Sequence, residues 1–289
     1  MRNLKRQVQE IRRGFDGIDG AGVHLVRVLS SATVKKLDPF LMLDVFDSKD
    51  YNDYIAGFPL HPHRGIETIT YLIAGAIDHE DSIGNKGTIL PGGTQWMTSG
   101  SGILHQEMPR KSDEMIGFQL WLNMPQKDKM APPAYREVNQ NQMPVYEQGG
   151  LKVNLISGEF NGVHGEIEAD YVKPQVYYVE LAKDQVFAKT LATEDTAFIY
   201  IFRGEVKIGE DIVDFKNGVL LTPGDEVEIT ATTPSQFLYI EGKKLEETIS
   251  WGGPIVMNTK AELDLAFTEL REGNFLKTNH IIGVETLNH

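Results

Sequence analysis

The chain contains no cysteine. That absence excludes disulfides, thiolate metal ligands and cysteine nucleophiles together, and it fits a reducing compartment, so a cytoplasmic location is expected. Long apolar runs are missing as well: none approaches the roughly 20 residues that a membrane-spanning helix needs. Residues 1–8 are basic but lack the apolar middle of a secretory signal, and read as a first edge strand with solvated charges. Positive charge is in deficit, with 28 Lys and Arg against 41 Asp and Glu and a net charge of −13. A surface that negative repels phosphate backbones, so no direct nucleic-acid partner is expected. Helix signals are scarce too. One 3.6-residue pattern runs over Lys260–Glu272, with Leu263, Ala266, Phe267 and Leu270 on one face and Gly273 as its stop.

What is present is strand. β-branched and aromatic runs at 66–73, 117–123, 176–181, 197–202 and 237–240 alternate with the turn signals Gly84-Asn85, Pro91-Gly92-Gly93, Gly100-Ser101-Gly102, Lys216-Asn217-Gly218 and Pro223-Gly224-Asp225. Many short strands with this punctuation predict an all-β sandwich or barrel. The pattern also repeats. ITYLIAG ending at Gly75 resembles FIYIFRG ending at Gly204, and the Pro91-Gly92 turn resembles Pro223-Gly224, at offsets of 129 and 132 residues. Two copies of one β-domain explain this, with domains expected at 1–135 and 136–250, a helical segment at 251–289, and a Pro/Gln/Asn-rich linker at 125–144.

Two pairs of metal-ligating residue types stand at i, i+2: His61 with His63, and His105 with Glu107. On a strand, residues two apart point to one face, so each pair aims both side chains into one space. Three imidazoles and a carboxylate suit Fe(II), Mn, Ni, Cu, Co or Zn, and not Ca²⁺ or Mg²⁺, which prefer oxygen shells. The same offsets carry these positions to about Thr190, Ala192, Phe237 and Tyr239 in the second copy, none of them a matching ligand, so one site per chain is expected. Glu67 rivals Glu107, because simple alternation places it on the His61/His63 face. A bulge at Gly65 would reverse that parity and leave Glu67 behind the ligands or paired with Arg64. His79, in the polar run 78–82, reads as a solvated hairpin end. His24, His164, His280 and His289 have no ligand pattern around them. Trp96, Met97, Phe118 and Leu120 are expected as the apolar wall of a substrate pocket.

Segments 38–44 (DPFLMLD), 61–67 (HPHRGIE), 95–109 (QWMTSGSGILHQEMP), 117–125 (GFQLWLNMP) and 252–258 (GGPIVMN) resemble the pirin family of the cupin superfamily, over nearly the whole chain. The resemblance implies two cupin barrels (double-stranded β-helix, or jelly-roll) in one chain, with the C-terminal helical segment packing back on the first. It also implies one non-haem iron held by His61, His63, His105 and Glu107. Two roles are implied by the family. One is dioxygenase activity of the quercetin 2,3-dioxygenase type on a flavonol-like aromatic with O₂, with Glu107 as the general base. The alternative is an iron-binding, redox-sensitive regulatory protein acting through a protein partner. A monomer is expected.

Overall fold

The strand runs read from sequence pair into antiparallel sheets. Strands take 54% of the chain and helices 9%, which places it in the all-β class. The computed structural model describes residues 4–278, so His280 and His289 lie outside the described residues. The chain forms two compact units that are not contiguous in sequence.

One unit comprises Asp16–Ala32, Phe40–Gln140 and Leu245–His289. Its larger sheet runs in the order Ala134–Val138, Thr94–Thr98, Ile66–Ala74, Met115–Asn123, Phe40–Ser48, Val23–Leu29, Phe15–Asp19. A smaller sheet runs Phe58–His63, Ile103–Pro109, Ile77–Asp81, Lys86–Ile89. The central strands are buried on both faces: Ile69, Leu72, Phe118, Leu120 and Leu122 are sealed from water, and each fully buried side chain of this size contributes about 1.5–3 kcal/mol. The stretch 125–144 is not a linker. It carries the edge strand Ala134–Val138, paired with Thr94–Thr98. It also buries Lys129, whose ammonium donates to the Gly65 and Val256 carbonyls at 2.8 and 2.9 Å and to Asn123 at 2.8 Å. Composition resembled a linker because the Pro and polar residues flank a strand of only five residues.

The C-terminal segment belongs to the same unit. Helix Lys260–Glu272 opens with a capping box between Thr259 and Glu262 and closes at Gly273, in the left-handed conformation (φ 75°). Its apolar face packs Ala266, Leu263, Phe267 and Leu270 against Ile255, Met257 and Phe275. Arg64, 2% exposed, ties this segment to the barrel. It donates to Glu269 and the Phe275 carbonyl, both at 2.7 Å, and lies 4.2 Å from the Phe275 ring centroid.

The other unit comprises Met1–Phe15, Thr33–Pro39 and Asn141–Lys244. Val8–Arg13 is an edge strand, as expected for the N-terminal stretch, and its partner is Asn217–Leu221. The repeat is visible in matching positions: Ile66–Ala74 and Thr196–Arg203 both run into a glycine with positive φ, Gly75 at 90° and Gly204 at 81°. The interior holds stacked rings, Tyr177 against Tyr239 at 5.6 Å and Phe160 against Phe187 at 5.2 Å. These rings pack with aliphatic side chains, among them Val179, Ile199, Val206 and Ile229, to form the core of this second barrel. Among the described residues, no helix is long and apolar enough to cross a membrane.

Candidate metal centre

His61 and His63 end the Phe58–His63 strand, and His105 sits directly opposite His61 on Ile103–Pro109. The i, i+2 spacing and that register bring the three rings together, with centroids 4.3–5.0 Å apart. One nitrogen from each lies within 4.8 Å of the others. Their tautomers follow from their partners. His61 Nδ1 lies 2.9 Å from the Pro59 carbonyl and His63 Nδ1 lies 3.0 Å from the Pro254 carbonyl. A carbonyl only accepts, so each Nδ1 carries the proton and each Nε2 presents a lone pair. In the neutral rings those two Nε2 atoms face one another at 3.1 Å as lone pairs. His105 is 1% exposed, and neither of its ring nitrogens has a hydrogen-bond partner. Two facing lone pairs and a buried imidazole with neither nitrogen satisfied are costly on their own and are relieved by a cation, so the residues fit a transition metal. Burial reinforces the neutral state. It pushes the His63 imidazolium down to about 3, with the His61 charge acting in the same direction and the Pro254 carbonyl opposing. His105 is driven well below its ordinary value for the same reason, burial.

Glu107 lies two residues beyond His105, and a bulge separates the two in the pairing with Phe58–His63. Its carboxylate is not part of the 4.8 Å histidine group. It is buried, and accepts from Gln119 Nε2 at 2.8 and 3.0 Å and from Thr70 Oγ1 at 3.2 Å. Trp121 Nε1 donates to Gln119 Oε1 at 3.0 Å. Because an indole N–H can only donate, this bond turns the Gln119 NH₂ toward Glu107. Glu67 faces the other side of the sheet. It pairs in register with Leu122 and Thr98, whereas Thr70 shares the face of Gln119. Its carboxylate accepts from Trp96 Nε1 at 3.0 Å and from Thr98 at 2.7 Å. The parity change occurs at Gly65, with φ of 78°, where a Cβ would lie 2.1 Å from the Val256 carbonyl oxygen.

With fold and centre defined, comparison with known proteins gives two matches along the chain: the Pirin model over residues 22–122, and the Pirin C-terminal cupin domain over 176–276. The chain belongs to the pirin family. A pirin-like protein of Caulobacter vibrioides is 41% identical over 273 residues, covering 93% of this chain and 99% of that one. Human pirin is 36% identical over 262 residues, 88% of each chain. A crystal structure of quercetin 2,3-dioxygenase from Acinetobacter baumannii superposes with a TM-score of 0.85 at 29% identity, covering 94% of this chain and 98% of that one.

In this pirin His61 and His63 border a cavity of about 580 Å³, within the usual size range of small-molecule sites; His105 lies behind them, fully buried. Its apolar walls are Met42, Phe46, Phe58, Trp121, Trp251 and Pro254, and its polar wall includes Gln119, Asp44, Arg27 and Asp19. Trp121 stands 4.9 Å from His63, edge to face, and 5.9 Å from Trp251. Trp96, Met97, Phe118 and Leu120 do not line this cavity. Trp96, Phe118 and Leu120 lie on the Glu67 face of the sheet, while Met97, opposite Thr68, shares the Gln119 face. The strand GFQLWLN carries its own correction, since Gln119 and Trp121 alternate with Phe118 and Leu120. Trp251 and Pro254 have no local signal. His79 is not a solvated hairpin end. It is 2% exposed and pairs with Glu137 at 3.0 Å and with the Tyr135 hydroxyl. Both partners come from the strand within 125–144, and Gly87 opposite makes room, since a Cβ there would lie 2.7 Å from His79 Nε2. His24 and His164 are exposed.

Proposed function

We propose that this pirin binds one divalent transition metal, iron(II) first among the Mn, Ni, Cu, Co and Zn alternatives, through His61, His63, His105 and Glu107. We propose further that it catalyses quercetin 2,3-dioxygenase-type opening of a flavonol-like aromatic by O₂. The observation that carries this reading is the cluster of three imidazoles, two of which, His61 and His63, stand at the wall of an aromatic-lined cavity. The cavity argues for catalysis, because a regulatory metal switch needs no room for an aromatic guest. The name carried by the Acinetobacter baumannii structure points the same way.

When bound, the metal supplies Lewis acidity toward an enol oxygen and a one-electron redox couple. The chain does the rest. The Pro59 and Pro254 carbonyls hold His61 and His63 in the ligating tautomer. Trp121 and Trp251 offer ring faces and edges to a flat guest and keep water from its reacting edge. Glu107 takes the proton of the 3-hydroxyl, and Gln119, fixed by Trp121, orients its carboxylate.

The test is O₂ uptake together with loss of the flavonol absorbance band, using quercetin and iron-loaded, metal-free and His63→Ala protein. Consumption by the iron-loaded protein alone is expected. Equal rates in all three mean background autoxidation and overturn the reading.

A further inference from the structure

Dioxygenase chemistry leaves one polar feature of the cavity without a task. Arg27, Asp44, Gln119 and Thr70 stand directly opposite one another on four adjacent strands, forming a polar row across the inner face of the larger sheet. At one end Gln119 holds Glu107. At the other, Arg27 donates Nε and Nη2 to the two oxygens of the buried Asp44, at 2.8 and 2.7 Å, and Nη2 again to Asp19 at 2.6 Å. Among the described residues its Nη1 takes no protein acceptor, which leaves two N–H donors at the cavity wall. Asp19 is half exposed and spends one oxygen on the Gly20 amide at 2.8 Å and the other on Arg27. A carboxylate has about four lone-pair sites, so acceptor capacity remains. The turn that carries it is rigid. Gly20 has a φ of 58°, and a Cβ there would lie 2.6 Å from both the Gly57 carbonyl and the Phe58 ring.

We propose that Arg27 and Asp19 form a hydroxyl-reading anchor that selects a neutral, ring-hydroxylated aromatic of the catechol type over one bearing a carboxylate. The inference rests on the dioxygenase reading and specifies its substrate class. One guanidinium faces two carboxylates, so the cluster carries net negative charge and repels an incoming anion. A phenolic hydroxyl meets both needs at once: it donates to Asp19 and accepts from Arg27 Nη1. Two adjacent hydroxyls divide the roles between them. The fork is already oriented by Asp44, so little side-chain order is lost on binding.

The experiment measures equilibrium binding without oxygen, by tryptophan fluorescence quenching, on metal-loaded wild type, Asp19→Asn and Arg27→Lys. The probes are quercetin, 3-hydroxyflavone, which lacks the other ring hydroxyls, and 3-hydroxyflavone bearing a 4′-carboxylate. Wild type is expected to bind quercetin at least about tenfold more tightly than 3-hydroxyflavone, the scale of a hydrogen bond to a charged group, and the carboxylate probe most weakly. Asp19→Asn should remove most of the quercetin preference, improve binding of the carboxylate probe, and leave 3-hydroxyflavone within about twofold. Arg27→Lys keeps the charge, loses the fork, and should also lose the preference. If Arg27→Lys does not fold, Asp19→Asn, altered at a half-exposed side chain, carries the test. Unchanged probe ratios in the variants, or tightest binding of the carboxylate probe by wild type, overturn the anchor while the dioxygenase reading stands. Failure of wild type to bind any of the three overturns both.

Discussion

His63 donates its Nδ1 proton to the carbonyl of Pro254 at 3.0 Å, across 191 residues of sequence. The neighbouring residue, Arg64, is bound to the same C-terminal segment through Glu269 and Phe275. The proposed metal site should therefore be coupled to docking of residues 245–278.

Arg64→Ala should show that coupling. It leaves the Glu269 carboxylate, 15% exposed, without one of its cations, and removes the donor to the Phe275 carbonyl. Breaking a buried pair from one side costs about 3–5 kcal/mol. The expected outcome is a lower melting temperature, faster proteolysis near 259–275 and faster loss of metal to a chelator. A variant that melts lower but keeps its metal as long as wild type would separate the two.

Elemental analysis should find one transition metal per chain. Among the described residues the three histidines are the one group with suitable donors, and the core of the second barrel is apolar. Removing the metal should lower the melting temperature by mass action, a loss of about 4 kcal/mol where free metal had stood a thousandfold above its dissociation constant. Two metals per chain, or equal melting with and without metal, would count against a single structural and chemical centre.

Glu107 and Glu67 should fail differently. Glu107→Ala is expected to weaken metal retention, by more than the roughly 10–100-fold typical of a residue that only supports a ligand. Glu67→Ala strands the buried Trp96 and Thr98 donors, at about 1–3 kcal/mol for each, and should lower stability while metal content holds. Parallel melting curves and metal assays decide between them, and loss of metal in Glu67→Ala alone would reverse the assignment.

Acid should release the metal and destabilise the metal-free protein together. The His63 imidazolium lies near 3 in the folded protein against an ordinary 6.5, so between those values the unfolded chain binds the extra proton. Its contribution is fully present above pH 6.5 and is lost as pH falls toward 3. Metal competes for the same lone pair, so affinity should fall across that window. Stability of the metal-free protein that stays flat between pH 6.5 and 3 would contradict this.

The clustering of His61, His63 and His105 was legible because strand alternation makes i, i+2 a statement about direction, and the two barrels because their turns recur at a fixed offset. Parity was harder. In GFQLWLN the polar residues are Gln119 and the terminal Asn123, and bulk favours Phe118 and Leu120 as pocket wall, whereas the cavity takes Gln119 and Trp121. Gly65 made the reversal before Glu67 conceivable, but only the Val256 carbonyl pressed against it shows why glycine is required there. Arg27, Asp19 and Trp251 left no trace in sequence, and Pro254 stood only within the 252–258 segment of the resemblance, with no sign of its role. Their roles arise from contacts between distant strands, which no local period encodes.

The bond between His63 and Pro254 also sets an order of events during synthesis. A growing chain displays His61, His63 and His105 long before Pro254 exists. At roughly 5–20 residues per second, the intervening stretch takes on the order of 10–40 s to make. During that interval the His63 ring lacks the carbonyl that fixes its tautomer, and Arg64 is a buried cation in waiting without Glu269. The contacts that brace the histidine cluster are thus complete only once residues 254–275 are made, and a ribosome stalled before residue 254 holds the three histidines without the Pro254 carbonyl.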